Sequence, residues 1–163
     1  MKPRRKIVVG LGNPGKEYAR TFHNVGALAL QALKENFKGS DAPLVFVAPA
    51  SFMNESGNTV REAMKKSGAK PGDLIVLHDE GDLTLGNYKI SAGRSSAGHK
   101  GVQSIIDALG TNEFTRIRIG IRPAKEVRRT KASSFVLKTI GARDRKVLDN
   151  VFEEIAAIVP TLW

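Results

Sequence analysis

Short apolar runs alternate with segments of helical periodicity along this chain, and this alternation limits the possible folds more than any other feature. Residues 7–11, 44–47 and 74–77 are apolar and rich in β-branched side chains, which predicts buried strands. Apolar residues at a spacing of three or four predict helices between and after them, at 25–37, around 60–68, through 105–109 and at about 144–158.

Two further strands are expected in the second half of the chain. Residues 116–122 alternate strictly between arginine or glycine and isoleucine, which predicts a strand with one basic face, and 87–91 suggest a shorter, more polar strand. Strands alternating with helices indicate an α/β three-layer sandwich, with a mixed, mostly parallel sheet and helices on both faces. No linker or repeat interrupts the pattern, so residues 1–163 are interpreted as a single domain.

The charge balance favours a polyanionic partner. The chain has 26 lysines and arginines against 16 acidic residues, a net charge of +10. Nucleic acid is the first candidate, and a charge that serves only solubility is the alternative. The absence of cysteine excludes thiol nucleophiles and zinc-thiolate sites. Without a signal-peptide core or a long apolar stretch, we expect a cytoplasmic protein that does not enter membranes.

A glycine-rich loop, residues 10–15, follows the first strand and formally matches the dinucleotide-binding pattern. That interpretation requires a helix to begin at once and an acidic residue at the end of a second strand. The predicted helix begins too late, and Glu35 lies inside it, so a tight turn is the better interpretation. Asn13 then lies where ligands bind such sheets, at the carboxyl end of a strand.

Polar side chains follow the other predicted strands too. His23 precedes a helix and could be a general base or an ordinary surface histidine. The cluster of His78, Asp79, Glu80 and Asp82 could bind a metal ion, or one of its carboxylates could orient a base.

Two more loops carry candidate residues. Residues 51–57 include Met53 and Asn54, and their simplest interpretation is a helix cap formed by Asn54 or Ser56. Residues 97–101 are small around His99 and Lys100, which suits the close approach of a substrate backbone or an anion.

Taken in order, these loops resemble the bacterial peptidyl-tRNA hydrolase family. The similarity extends over about residues 7–158 and rests on seven segments in sequence: Gly-Leu-Gly-Asn-Pro-Gly (10–15), Tyr-x-x-Thr-x-His-Asn-x-Gly (18–26), Phe-Met-Asn-x-Ser-Gly (52–57), His-Asp-Glu-x-Asp-Leu (78–83), Gly-His-x-Gly (98–101), Arg-Ile-Arg-Ile-Gly-Ile (116–121) and Phe-Val-Leu (135–137).

The resemblance implies hydrolysis of the ester between peptide and tRNA, which recycles tRNA from stalled translation. His23 would be the general base for water, and Asp79 would orient it. No metal or organic cofactor is implied. A monomer is expected. The other implied substrate-binding residues are Asn13, Tyr18, Met53, Asn54, His99 and Lys100.

The implied partner is tRNA, and basic residues late in the chain support it independently. Seven lie from position 116 to 131, and phosphate neutralisation by such groups gives sequence-tolerant, salt-sensitive binding. The seven are Arg116, Arg118, Arg122, Lys125, Arg128, Arg129 and Lys131. Lys89 and Arg94 are expected nearby, and the implied tRNA contacts are Lys89, Arg94, Arg116 and Arg118.

The chain departs from the family pattern in two places. Lys100 stands where the family has an active-site asparagine; its ammonium could stabilise an oxyanion or make a nearby imidazole less basic. The segment before Phe52 is shorter than usual, so the fold should be shortened there. The alternatives are a relative of this fold that binds RNA without cleaving it, and a nucleotide-dependent enzyme using residues 10–15.

Overall fold

A computed structural model of the protein describes residues 4–124 and 131–162. Within them five strands form one sheet, and four α-helices cover its two faces. The elements are β1 (Lys6–Gly10), α1 (Val25–Asn36), β2 (Leu44–Val47), α2 (Ser56–Ser67), β3 (Leu74–Thr84), β4 (Tyr88–Ala92), α3 (Lys100–Leu109), β5 (Thr115–Arg122) and α4 (Ala142–Ile158).

The sheet has the order β2-β1-β3-β5-β4. The pairs β1–β2, β1–β3 and β3–β5 are parallel, whereas β4 runs antiparallel to β5. The predicted α/β class with a mixed, mostly parallel sheet is therefore confirmed. Because four strands share one direction, the loops after β1, β2 and β3 meet at the same edge.

Two apolar layers hold the helices to the sheet. One layer packs α1 and α4 against one face, with Leu33 and Phe152 at its centre. The other packs α2 and α3 against the opposite face, through residues such as Val60 and Ile105. Each layer buries side chains at helical spacing from its helices and at alternate positions from its strands, as the sequence pattern predicts.

β3 is longer than its apolar run. Residues 74–77 are fully buried, and the strand continues as far as Thr84 by pairing with β5. The sequence pattern ended the strand at 77, and that boundary was wrong because strand pairing is a property of the backbone. From His78 onward the side chains meet polar neighbours in place of the apolar core, so hydropathy carries no signal there.

The simplest interpretation of residues 51–57, a side-chain cap on α2, is not what the structure contains. Glu55 precedes the helix without a side-chain hydrogen bond to its amides. The Ser56 hydroxyl instead donates to the carbonyl oxygen of Met53, at 2.8 Å. Ser56 thereby ties the helix start to the preceding 3-10 turn, Met53–Glu55.

Candidate active site

A cavity of about 620 Å³ opens at the sheet edge where the loops after β1, β2 and β3 converge. All eight residues proposed from sequence as catalytic or substrate-binding line it. They are Asn13, Tyr18, His23, Met53, Asn54, Asp79, His99 and Lys100. Segments distant in sequence are therefore brought together by the sheet topology.

Asp79 lies at the centre of the cavity wall and is 4% exposed. Its Oδ2 accepts a hydrogen bond from His23 Nδ1 at 2.8 Å, and its Oδ1 accepts one from His99 Nε2 at 2.7 Å. Burial by itself would raise the pKa of Asp79, but His99 and His23 more than offset it, so the pKa lies well below its usual range. The carboxylate is therefore charged and held in place from both sides.

His23 belongs to a 3-10 turn, Phe22–Asn24, directly before α1. Its backbone amide donates to the carbonyl oxygen of Val136 at 2.7 Å, which fixes the turn against a distant segment. Because Nδ1 carries the proton donated to Asp79, Nε2 is left as a base on a residue that lines the cavity. Burial lowers the pKa of His23 and Asp79 raises it by a larger amount, so it lies above the ordinary 6.5; the charge of Lys100 lowers it again slightly.

His99 caps α3. Its Nδ1 accepts hydrogen bonds from the backbone amides of Gly101 and Val102, at 3.1 and 3.2 Å. Nδ1 is therefore unprotonated, and the ring proton sits on Nε2, which donates to Asp79. Both ring nitrogens are thus used within the chain, and helix α3 selects the tautomer of His99.

His78 is buried next to Asp79 and His99. Its Nδ1 donates to the carbonyl oxygen of Asp79 at 2.8 Å, and its ring lies 4.7 Å from that of His99. Burial is the main cause that lowers the pKa of His78 to about 3, and the neighbouring His99 and Arg116 add to it. His78 therefore stays neutral and acts as a support for the Asp79 backbone.

The carboxylates after β3's apolar run have different partners, which argues against the metal-binding interpretation. Asp79 accepts from two histidines, Glu80 pairs with Arg118 at 2.6 Å, and Asp82 lies 4.0 Å from Arg122. Among the residues that the structure describes, His23, Asp79 and His99 are the group close enough to share an ion. The Nε2 of His99 carries a proton, however, so it has no lone pair to offer a metal.

Asn13 connects the loops after β1 and β2. Its side-chain oxygen accepts from the Met53 amide at 2.7 Å, which leaves its Nδ2 group for the cavity. Its backbone exchanges two hydrogen bonds of 2.9 Å with the side chain of Asn24. The amide of Ala27, in the first turn of α1, already donates to Leu11, so the loop and helix do not form a pyrophosphate cradle.

Gly101 allows Met53 to reach the cavity floor. A Cβ atom at position 101 would lie 2.5 Å from Met53 Sδ and 2.9 Å from a Leu11 methyl. Any larger residue would displace Met53 from beneath the cavity. The small residue at the start of α3 is therefore needed for packing as well as for access.

A second polar region lies on the same face of the sheet as α3, beyond that helix. Lys89 on β4 pairs in register with Arg118 on β5, and cross-strand partners share a face. Burial is the main cause that lowers the pKa of Arg116, with Arg118 next, and Arg94, which follows β4, is close enough to contribute. We call Lys89, Arg94, Arg116 and Arg118 the basic face.

Members of the basic face differ in how far they reach solvent. Lys89 and Arg94 are exposed. Arg118 is bound to Glu80 through Nε and Nη2, and Arg116 is 4% exposed with a buried Nη1 that has no partner among the described residues. The strand with one basic face is present, but its first arginine is buried. The predicted contributions of Lys125, Arg128 and Arg129 lie outside the described residues.

The sequence profile of the family described as peptidyl-tRNA hydrolase matches residues 7–163. The chain belongs to the peptidyl-tRNA hydrolase family.

Individual relatives of that name agree with the profile. The chain is 36% identical over 165 residues to the peptidyl-tRNA hydrolase of Lactobacillus gasseri, covering 91% of this chain and 87% of that one. It is 37% identical over 173 residues to that of Thermodesulfovibrio yellowstonii, covering 94% and 90%. The crystal structure of peptidyl-tRNA hydrolase from Acinetobacter baumannii matches with a TM-score of 0.81 at 29% identity, covering 98% of this chain and 88% of that one.

These matches confirm the family resemblance, and they give no support to the alternative of an RNA-binding relative that does not cleave. Among residues 4–124 and 131–162, no helix combines the length and apolar character needed to cross a bilayer.

The sequence analysis gave no site role to one part of the peptidyl-tRNA hydrolase cavity, although it named residues 135–137 among the resembling segments. The segment after the undescribed residues contributes Ala132, Ser133, Val136 and Leu137 to its wall. Leu137 is 57% exposed in this wall, and Phe52, which also lines the cavity, is 53% exposed. Leu137 ends a short apolar run, residues 135–137, that shows no helical or strand periodicity, and only its position in the fold places it in the cavity.

Proposed function

We propose that this protein hydrolyses the ester bond joining peptide to tRNA in peptidyl-tRNA, with His23 as the general base. The observation that carries the proposal is the His23–Asp79 hydrogen bond at the wall of a cavity large enough for a substrate end. Membership of the family whose relatives bear this name supports the substrate class.

The reaction requires a single base. His23 Nε2 takes a proton from a water molecule as the water oxygen bonds to the ester carbonyl carbon. The tetrahedral intermediate then breaks its bond to the ribose oxygen, and His23 returns the proton to that oxygen. Asp79 keeps the ring in the correct tautomer and stabilises the imidazolium between the two steps. A covalent enzyme intermediate is unnecessary because an ester has a good leaving group.

Substrate contacts are assigned to cavity side chains whose hydrogen-bonding groups have no partner in the part of the chain that the structure describes. Asn13 offers its Nδ2 group, while Asn54, Tyr18 and Lys100 line the cavity without a side-chain hydrogen bond among the described residues. Met53 provides an apolar floor, and it is 4% exposed. His99 contributes its position and its bond to Asp79, because neither ring nitrogen is available to the substrate.

Binding of the tRNA body is assigned to the basic face. Lys89 and Arg94 are the members best placed to meet phosphates, since both are exposed. Arg118 would have to share its guanidinium between Glu80 and a phosphate. The buried Arg116 would act on phosphates mainly through its charge. Such contacts accept any tRNA sequence, as a general hydrolase of peptidyl-tRNA requires.

The test is release of peptide from a peptidyl-tRNA with a blocked amino group. The wild type should release it, and His23→Ala should lower the rate about 10²- to 10⁴-fold, the usual contribution of a general base. Affinity for uncharged tRNA should stay unchanged in the variant. Binding of tRNA without any release by the wild type would contradict the proposal and favour a non-cleaving RNA-binding role.

A further inference from the structure

Lys100 is the first residue of α3, and its exposed side chain lies at the rim of the cavity. Its neighbour in the chain, His99, is the residue that bonds Asp79. Lys100 therefore places a positive charge near His23 and Asp79. The start of α3, which carries Lys100, is itself held in position by the hydrogen bond between His99 and Asp79.

That charge is in an unfavourable place for folding. The N-terminus of a helix has a partial positive charge, so a lysine there is disfavoured electrostatically. Among the described residues no carboxylate neutralises Lys100: Asp79 accepts from two histidines, and Glu80 is paired with Arg118. A cation held near a helix N-terminus, without an internal partner, is poised for an anion that arrives from outside or forms in the cavity.

We propose that the Lys100 ammonium group donates a hydrogen bond to the anionic oxygen that forms on the ester carbonyl during hydrolysis. This assignment rests on the proposed peptidyl-tRNA hydrolase activity. When water adds to the carbonyl carbon, the carbonyl electron pair moves to oxygen, and the water proton passes to His23 Nε2. Collapse of the intermediate returns that pair to the carbonyl as the bond to the ribose oxygen breaks. Lys100 is a catalytic residue in this scheme, and its proton stays on nitrogen throughout.

Lys100 also acts on the base. The groups that face His23 are Asp79 from β3, His99 from the loop before α3, and Lys100 from α3 itself, with Glu80 and Tyr18 further along the cavity wall. Of these, Asp79 raises the pKa of His23 and Lys100 lowers it. Removing the Lys100 charge should therefore slow the chemical step and also move the acid limb of the pH profile upward.

The experiment compares four variants under single-turnover conditions with blocked peptidyl-tRNA. Lys100→Met removes the charge and keeps the length, Lys100→Arg keeps the charge, and Lys100→Asn leaves a neutral donor. Lys66→Met, on the exposed end of α2, removes the same charge away from the cavity. Circular dichroism checks that each variant is folded, as expected for exposed positions.

The expected result is a loss of about 10²- to 10³-fold in the plateau rate for Lys100→Met, the usual effect of removing one oxyanion donor. Its acid limb should lie at higher pH than that of the wild type, whose midpoint is itself expected above 6.5 because the pKa of His23 is raised. Lys100→Arg should retain most of the activity, and Lys66→Met should match the wild type. Affinity for uncharged tRNA should be unchanged in all four variants.

Several outcomes would overturn the assignment. A plateau rate of Lys100→Met equal to or above that of the wild type means that the charge does not assist the chemistry. A defect confined to KM and tRNA affinity means that Lys100 contacts a nucleotide phosphate. Full activity of Lys100→Asn means that the positive charge of the ammonium group contributes nothing to stabilising the anionic oxygen. A wild type that releases no peptide overturns the hydrolase proposal first, and the role of Lys100 with it.

Discussion

The cavity around Asp79, on β3, and the basic face, on β4 and β5, lie on neighbouring strands of one sheet, yet they differ in how their charges are neutralised. In the cavity, Asp79 is buried and held by two ring N–H donors, so its charge is matched inside the chain. On the basic face, Glu80 pairs with Arg118 and acts on the charge of Arg116, whereas Lys89 and Arg94 are exposed. The first arrangement fixes the positions of the Asp79 carboxylate and the two histidine rings by hydrogen bonds. The second leaves a net positive charge that a partner can neutralise.

Because of this difference, we expect changes in the cavity to alter the rate of hydrolysis and changes on the basic face to alter the affinity for tRNA. Chemistry depends on where a few groups lie, so single changes in the cavity should have large effects on the rate. Phosphate binding depends on the number of charges and is screened by salt, so changes on the basic face should be smaller and nearly additive.

The largest effect is expected for Asp79→Asn. An amide group would donate to His23 Nδ1, which would place the ring proton on Nε2 and leave no base facing the cavity. We expect kcat/KM to fall about 10⁴-fold, as for a carboxylate-to-amide change in other histidine–carboxylate hydrolytic sites. Peptide release measures the rate, and a filter-binding assay should show unchanged tRNA affinity.

Asp82→Asn is the matched control for Asp79→Asn. Asp82 belongs to the same acidic cluster, but its side chain is 64% exposed and lies beside Arg122. It should keep nearly full activity. Equal losses in both variants would mean that overall negative charge, and not the orientation of His23, accounts for the rate.

An intermediate effect is expected when Lys89 and Arg94 are both changed to alanine. Each phosphate that is no longer neutralised should reduce the slope of log affinity against log salt by about 0.7–0.9, and the two reductions should add. The rate at saturating substrate should be unchanged, because neither side chain lines the cavity.

The control for that double variant is Lys34→Ala with Lys38→Ala, which removes the same charge from the end of α1, in the opposite helical layer. Its salt slope should stay near that of the wild type. Equal slopes in the two double variants would show that tRNA responds to net charge alone, and the basic face would lose its assignment.

The smallest effect is expected for Glu80→Gln, which joins the two regions. Glu80 lines the cavity and holds Arg118 at 2.6 Å. Freeing Arg118 should raise tRNA affinity, by about fivefold at most, the range of a partly exposed ion pair. Isothermal titration at low salt measures it, with Glu154→Gln on α4 as a control for the charge change. Weaker binding in Glu80→Gln would mean that the ion pair positions Arg118 for phosphate.

Much of this arrangement was predictable from the sequence. Hydrophobic periodicity located the strands and helices, since burial on one face leaves a repeating pattern. Grouping of polar residues after β1, β2 and β3 followed from parallel strands ending at one edge. The seven resembling segments supplied the candidate residues of the cavity.

Other features could not be predicted, for identifiable physical reasons. Burial of Arg116 depends on what packs over β5, and a strictly alternating strand looks the same whether its polar face is open or covered. The tautomer of His99 follows from its position over the first amides of α3, which is a matter of angle rather than residue type. That Lys100 has no carboxylate partner within residues 4–124 and 131–162 also becomes evident only once the partners of Asp79 and Glu80 are known.

The hydrogen bond between His23 and Asp79 joins residues 56 positions apart, and that between Asn13 and the Met53 amide spans 40. Contacts so distant along the chain form late in folding, because the intervening loops must first be closed. During refolding, helical signal should therefore return before peptide-releasing activity does. Peptide-releasing activity therefore reports completed folding, because the site does not form until β3 has paired with β1.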